Sequence, residues 1–452
     1  MVLYARQALK YPIFCVTLLL ILLHFYPLPG LSARRYSTWD WTGCPNSSPF
    51  DPSCTAPSAM IAQDVQVVIR TGGSEPQNRL RSQLSTVLSR IPKRNVLIMS
   101  DMEEGIGSYH VHDVYADLSD QERANYPEFD LYDTQLEYQK QGGNTRELQG
   151  GWELGKYMNL AMKRKIWKMH QESRGGHDSL TRWFVFIDTD TFIEWENLLI
   201  LLSHLNDAKR IYIGSPVWLP KLEFAHGGSA YVLSYGAMEA LNTPGTDDKK
   251  QLLYSQFGFN TTALCCGDEA LARVLKSKGV SLKGYWPMFN GEVPTALSFG
   301  RDLWCEPVIS LHHLSGEDMQ DLWQWIEKWK DSTTSMQPFL FRDLFQYVAP
   351  QIVSSRRDWD NIHDSMKIFP KHTASHTSFE NCKAACELDN SCFQFVYDGT
   401  TCALSDHIRL GSKRSPEENQ AQTYRSGWMI ERIRDWTMKT HCSSAHWLHS
   451  NP

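Results

Sequence analysis

The sequence predicts an α/β fold, and three observations carry that reading. Residues Trp183 to Ile187 are five apolar or aromatic residues with no polar break. Such a run marks a strand buried on both faces, as in the interior of an α/β sheet. A second stretch reads strand, amphipathic helix, strand over 64–70, 78–88 and 95–101, which is a βαβ unit. Third, carboxylates close the strands: Asp101 ends one, and Asp188-Thr189-Asp190 ends the apolar run. Open α/β sheets place ligands at that edge, and two carboxylates at i and i+2 suit one hard cation. The segment 194–205 then supplies a broad apolar helical face to cover the sheet.

From the amino terminus, the elements follow in order. A composition of 42% hydrophobic and 21% charged residues over 452 positions suits one large or two globular domains and excludes wholesale disorder. The net charge of -6, with no long basic block, argues against a nucleic-acid partner. A short tail (1–10) precedes an apolar stretch (11–29), read as a signal-anchor transmembrane helix with its amino terminus in the cytosol. A cleaved signal peptide, with Ser32-Ala33 as its small-residue site, is the alternative. Ten of the eleven cysteines follow the span, as expected for an oxidising lumen, and sequons begin at Asn46 and Asn260. Residues 30–62, with four prolines among Ser, Thr and Asn, read as a stem in which Cys44 and Cys54 are placed to close a small loop.

Between Glu103 and Gly151 the polar composition predicts a mobile segment beside the site. The helix predicted over 152–167 has an apolar face and a lysine-rich face expected to be solvated, with Lys156 the exception. Downstream come a strand at 211–215 and the stretch 222–234, where Gly227-Gly228 permits either a tight turn or close approach of the backbone to a ligand.

Two families share an apolar strand running into Asp-x-Asp. Asp188-Thr-Asp-Thr191 is similar to the opening of aspartyl phosphatases of the haloacid-dehalogenase type, in which the first Asp is the nucleophile. The order of blocks favours the other family. Trp-Phe-x-x-x-Asp-x-Asp, then Tyr-Ile-Gly, then Phe-Ala-x-Gly-Gly-x-Ala-Tyr-Val-Leu-Ser, then Gly-Asp-Glu-x-x-Leu-Ala, resembles the fringe and core-1-galactosyltransferase branch of the β-1,3-glycosyltransferases, glycosyltransferase family 31. That resemblance runs from about Val65 to Trp329 and implies a GT-A fold, a Rossmann-like nucleotide-diphospho-sugar transferase domain, over 63–332.

The resemblance implies a metal site of Asp188, Asp190 and His312, with His312 favoured over His313. It implies Asp268 as catalytic base, although Gly267 stands where the family has an acid, so Glu269 is the alternative. Asp101, Lys156, Asp188, Gly227 and Gly228 fall to the nucleotide side. The expected chemistry is an inverting, Mn²⁺- or Mg²⁺-dependent transfer of a sugar from a UDP-sugar donor to a glycan acceptor on protein or lipid, through a β-1,3 bond, in the Golgi lumen on a single-pass type II membrane protein. Trp286, Phe289 and Trp304 are placed where an acceptor sugar would stack, or in the core.

After a helix opened by Ser315-Gly-Glu-Asp318, with Leu322, Trp325, Ile326 and Trp329 on its core face, residues 333–370 read as a linker. The last segment, 371–445, resembles a small disulfide-bonded α+β PAN/apple domain through its cysteine-bearing helix, Cys-x-Gln-Phe-x-Tyr and Cys-x-Leu. Four cysteines leave three pairings open, of which the resemblance implies Cys382–Cys402 and Cys386–Cys392. A non-catalytic glycan- or protein-binding role for this module is the alternative to enzymatic activity.

Overall fold

The computed structural model describes residues 36–37, 61–124, 126–173, 181–243, 264–332, 337–361, 366–414 and 424–448. The expected tail and membrane span, Cys44, Cys54, both sequons and most of the stem lie outside the described residues. Among the described residues, no helix is long and apolar enough to cross a membrane.

The chain order begins β1 (Val65–Arg70), α1 (Gln77–Ser85), β2 (Val96–Ser100), β3 (Glu104–Ile106), β4 (Tyr109–Asp113), α2 (Phe129–Lys140), α3 (Gly151–Ser173) and β5 (Trp183–Asp188). It continues β6 (Phe192–Ile193), α4 (Trp195–Ser203), β7 (Tyr212–Gly214), β8 (Pro216–Leu219), β9 (Leu222–Ala225), β10 (Tyr231–Ser234), α5 (Tyr235–Asn242), α6 (Gly267–Ser277), β11 (Leu282–Gly284), β12 (Ser310–Leu311) and α7 (Gly316–Ser332). Eight of these strands form one sheet in the order β11-β7-β10-β5-β1-β2-β4-β3. The expected βαβ unit is there, with β1 parallel to β2 and to β5.

Side-chain alternation explains why β5 sits at the centre. Trp183, Val185 and Ile187 enter the core on one face, beside Leu198, Leu201 and Leu202 of α4. Phe184 and Phe186 enter the other, beside Leu160 and Ile166 of α3 and Leu271 and Leu275 of α6. Full burial of one such side chain contributes roughly 1.5–3 kcal/mol, so an uninterrupted apolar run is tolerated only where both faces are covered.

The segment expected to be mobile is instead built into the fold. It forms the hairpin β3–β4 at the sheet edge, and α2 inserts Phe129 and Tyr132 into an aromatic cluster with Tyr115 and Tyr157. Its polar residues decorate the outside of an element whose few buried aromatics do the packing. The lysine face of α3 is also not uniformly solvated: Lys163 is fully buried.

The stretch expected to be a linker is likewise structured where it is described. It contains α8 (Phe341–Val348), whose Phe341, Leu344, Phe345 and Val348 are buried at helical spacing, and β13 (Ser355–Arg357). With β14 (Lys367–Ile368), α9 (Phe379–Leu388), β15 (Gln394–Tyr397), β16 (Cys402–Ser405), β17 (Arg425–Trp428) and α10 (Ile430–Lys439), it leads into a five-stranded antiparallel sheet in the order β13-β17-β15-β16-β14. Disulfides Cys382–Cys402 and Cys386–Cys392 pin α9 to this sheet.

This carboxy-terminal unit shares a core with the larger sheet. Ile408, Leu410, Trp428, Ile433 and Trp447 belong to the same buried cluster as β5 and α4. Phe299 and Ile408 exchange backbone hydrogen bonds of 2.8 Å each way, and Trp304 packs at a tilt with its ring centroid 4.5 Å from that of Trp436 while donating its indole N–H to the Thr440 carbonyl. Trp304 and Phe289 are therefore core residues, whereas Trp286 stays 41% exposed. A third disulfide, Cys305–Cys442, closes the junction over a separation of 137 residues.

Because the junction is both apolar and covalently closed, Cys442→Ser is expected to cost about 2–5 kcal/mol of stability, the usual cost of losing a native disulfide. Calorimetry should show one cooperative transition moved to lower temperature. A separate early transition, with the main one unmoved, would show the carboxy-terminal unit to be independent.

Candidate functional site

A cleft of about 730 Å³ opens at the carboxyl ends of β1, β2 and β5, a volume within the usual range for small-molecule sites. Asp101, Lys156, Asp188, Asp190, Asp268 and His312, all singled out from the sequence, line it.

Asp188 does not stand beside Asp190 as a free ligand. Arg70 is its in-register neighbour on β1 and donates to both carboxylate oxygens, Nε to Oδ1 at 2.8 Å and Nη2 to Oδ2 at 2.6 Å. Burial works against the Arg70 charge, but the Asp188 carboxylate outweighs it and keeps the guanidinium protonated. A bidentate, partly buried pair of this kind is among the stronger ionic contacts a protein makes.

Asp190 turns the other way. Its Oδ1 lies 3.0 Å from His312 Nε2, and Arg79 approaches Oδ2 at 3.3 Å. Burial alone would raise its pKa, but the His312 hydrogen bond and charge, aided by Arg79, hold it below the usual carboxylate range. Asp190, His312 and His313 bring one ligand atom each within 4.8 Å of the others. His312 Nδ1 is a buried ring nitrogen with no hydrogen-bond partner. One carboxylate and two imidazoles, one of them carrying an unsatisfied buried nitrogen, form a donor set that fits a divalent cation. Of the expected set of Asp188, Asp190 and His312, the last two stand together, and His313 lies beside them in a left-handed backbone conformation (φ 63°) that a bulky residue rarely adopts.

The Asp-Thr-Asp-Thr turn is held by backbone bonds. Gln83 of α1 donates to the carbonyls of Asp188 (2.8 Å) and Thr191 (2.9 Å), and the Thr191 hydroxyl donates to the Gly228 carbonyl at 2.8 Å. The Gly227-Gly228 turn approaches side chains of the site itself. A β-carbon at Gly227 would fall 2.7 Å from Asp268 Oδ1, and one at Gly228 would fall 2.1 Å from the His312 ring.

Asp268, in the first turn of α6, accepts the Gly227 N–H at 2.9 Å and the Asn159 amide N–H at 3.0 Å. Asn159 is oriented in turn by buried Lys163, which donates to its carbonyl oxygen at 2.9 Å and also contacts the Tyr231 hydroxyl. Burial drives the Lys163 pKa well below the ordinary lysine value, and its ammonium position lies 4.1 Å above the Phe186 ring.

Glu269 faces away from the cleft. It is 4% exposed, accepts the Cys265 N–H at 2.9 Å and pairs with Arg273 at 2.6 Å, so its carboxylate holds the start of α6 and does not reach the site. A side chain at Gly267 would collide with the Lys156 carbonyl at 2.9 Å and with the Asn159 amide at 3.0 Å, which is why no acid fits there.

At the opposite end, Asp101 is 2% exposed and accepts the Gly73 N–H; burial raises its pKa. Arg146 donates to the Gly72 and Gly73 carbonyls and to Glu104, bracing this loop. Trp152, 70% exposed, adds an aromatic face to the rim. Sequence reasoning missed Arg70, Glu75, Arg79, Arg146, Trp152 and Asn159. For Arg70 a signal existed, because a cation closing a strand inside a βαβ unit faces the ligand edge.

Residues 126–256 match a family model described as Fringe-like. That segment carries α2, α3, the Asp188–Asp190 turn and the Gly227-Gly228 turn, and covers well under half of the chain. No curated protein matches the sequence.

Glu75 supplies a pH signature. It is exposed at the surface yet hemmed in by the cleft walls, and that enclosure, followed by the Asp188 charge, pushes its pKa up to about 7. A carboxyl raised from its ordinary value contributes stability that is present below about pH 4.5 and is lost as pH rises through about 7. Glu75→Gln should flatten the stability profile across that window and raise stability at pH 8. Solvent screening limits the effect to on the order of 1 kcal/mol. Urea titrations at pH 5 and 8 test this, and an unchanged slope in the variant would remove Glu75 as the source.

Proposed function

We propose that the chain is an inverting glycosyltransferase that moves a sugar from a UDP-sugar to a glycan acceptor with the help of Mn²⁺ or Mg²⁺. The observation that carries this reading is the convergence of Asp190, His312 and Asp268 on one cleft from three elements distant in sequence, tied together through the Gly227-Gly228 turn. The Fringe-like match over 126–256 supports the same class. A β-1,3 linkage rests on the sequence resemblance alone.

In this mechanism Asp190 and His312, with His313 beside them, would hold the cation, which would supply charge neutralisation for the departing diphosphate. Asp188 remains on Arg70 and fixes the turn that presents Asp190. Arg79 and Lys156, both on the cleft wall, are placed to meet phosphate oxygens, and Asp101 lies at the nucleotide end. Asp268 accepts the proton of the attacking hydroxyl. A carboxylate offers about four lone-pair directions, and Gly227 and Asn159 occupy one on each oxygen, leaving the others for the acceptor. Trp152 on the cleft rim, 70% exposed, and the exposed Trp218 and Trp286 are aromatic faces on which an acceptor sugar would stack.

The proposal places the enzyme in the Golgi lumen as a single-pass type II protein, anchored through residues 11–29. Three disulfides support an oxidising compartment. The carboxy-terminal unit is proposed to be a PAN/apple-like module.

Two variants separate the assigned roles. Asp190→Ala should abolish Mn²⁺-dependent UDP binding in calorimetry while the protein stays folded. Asp268→Asn should keep that binding and lower transfer by about a hundredfold or more, the usual contribution of a general base. Transfer at the parent rate in Asp268→Asn would exclude it as the base, and unchanged metal-dependent UDP affinity in Asp190→Ala would remove the metal site.

A further inference from the structure

A second group of metal-type ligands lies outside the cleft, on the hairpin at the edge of the large sheet. β3 and β4 pair antiparallel with Glu104 opposite Val111 and Gly105 opposite His110, so Glu103 falls opposite His112. Residues two apart on a strand share a face, and directly opposed residues of an antiparallel pair share it too. His110, His112 and Glu103 therefore project on one side, and their ligand atoms lie within 4.8 Å of one another.

The donors are already arranged. The Glu103 carboxylate accepts the Asp113 N–H through Oε2 at 2.8 Å, which leaves Oε1 turned onto His110 Nε2. The two imidazoles stand edge to face with centroids 4.4 Å apart. Gly105, across from His110, has no atom within 4 Å of where its β-carbon would be, so the space beside the rings is open. His110 and Glu103 are about half exposed, which gives an ion direct access.

We propose that Glu103, His110 and His112 form a binding site for a zinc-class divalent ion. Two imidazoles and one carboxylate favour a borderline metal such as Zn²⁺ over the harder Mg²⁺ or Mn²⁺, and they leave a fourth coordination position for water. The site is separate from the cleft donors and does not depend on the activity proposed above. It is connected to the cleft mechanically: Glu104, next in sequence, holds Arg146, and Arg146 braces the Gly72–Gly73 loop against which Asp101 is bonded. Lys165, which donates to the Asp113 carbonyl behind the hairpin, opposes the ion's charge and limits its affinity.

The test uses the full chain carrying Asp190→Ala, His312→Ala and His313→Ala, so that the cleft donor set is removed. After chelator treatment and dialysis against Zn²⁺, atomic emission should find one more equivalent of zinc in this background than in the same chain also carrying His110→Ala and His112→Ala. Glu103→Gln, which removes one ligand charge while keeping the shape, should weaken binding by about tenfold or more in calorimetry. Zinc should also raise the unfolding temperature of the background chain and leave that of the double-histidine variant unmoved. Equal zinc content and equal thermal shift with and without the two histidines would overturn the proposal, as would unchanged affinity in Glu103→Gln.

Discussion

Gly227 and Gly228 lie so close to Asp268 and His312 that a β-carbon at either position would occupy the space of the carboxylate or the imidazole. The cleft depends on that closeness. The turn that follows β9 carries the backbone N–H bonded by Asp268 and the carbonyl bonded by Thr191, so the two sides of the site are referenced to one short piece of main chain. Ala230, at the end of the same turn, has φ 61° and ψ 155°, a conformation that costs a residue with a side chain of the order of 1–3 kcal/mol. The turn is thus held against local preference by the strands on either side, β9, buried but for Glu223, and β10, buried throughout.

Charge is the second organising constraint. The cleft wall gathers Arg70, Arg79, Arg146 and Lys156 against Asp101, Asp188, Asp190 and Asp268, with Glu75 among them. Arg70 and Asp188 satisfy each other, and so do Arg146 and Glu104. A divalent cation entering this near-balanced set alone meets fixed positive charge, and a diphosphate entering alone meets fixed negative charge. Bound together they cancel most of each other's cost, because interactions between neighbouring charges are strong where protein displaces water. For the proposed transferase, metal and nucleotide binding should be mutually reinforcing for this reason.

Much of the central architecture was legible because it rests on local patterns. The apolar run at Trp183–Ile187 could be nothing but a strand covered on both sides, and Asp188 and Asp190 marked its ligand end. What local pattern cannot express is which long-range partner a polar residue finds. Asp188 finds Arg70 118 positions away, which no local pattern could show, whereas the i,i+4 pairing of Glu269 with Arg273 was within reach of the sequence and went unread. Lys163 was read as solvated because α3 is basic, yet it points inward to meet Asn159 and Tyr231. Composition misled twice, at 103–151 and at 333–370. There, short elements pack through a few aromatics such as Phe129, Tyr132, Phe341 and Phe345 amid polar neighbours.

The closure of the large core by its carboxy-terminal residues bears on how the chain is made. Synthesis delivers the protein from its amino terminus, and domains commonly fold as they emerge. Here Trp304 and Cys305 must wait for Trp436, Thr440 and Cys442, while Cys382, Cys386, Cys392 and Cys402 find one another over separations of 20 and 6 residues. Until residues 436–442 have been made, the larger sheet carries an uncovered apolar seam, and the Cys305 thiol waits while four other cysteines are already close together. The growing chain is therefore exposed to mispairing and aggregation at that seam, and folding helpers would have to guard it until Trp436 and Cys442 arrive.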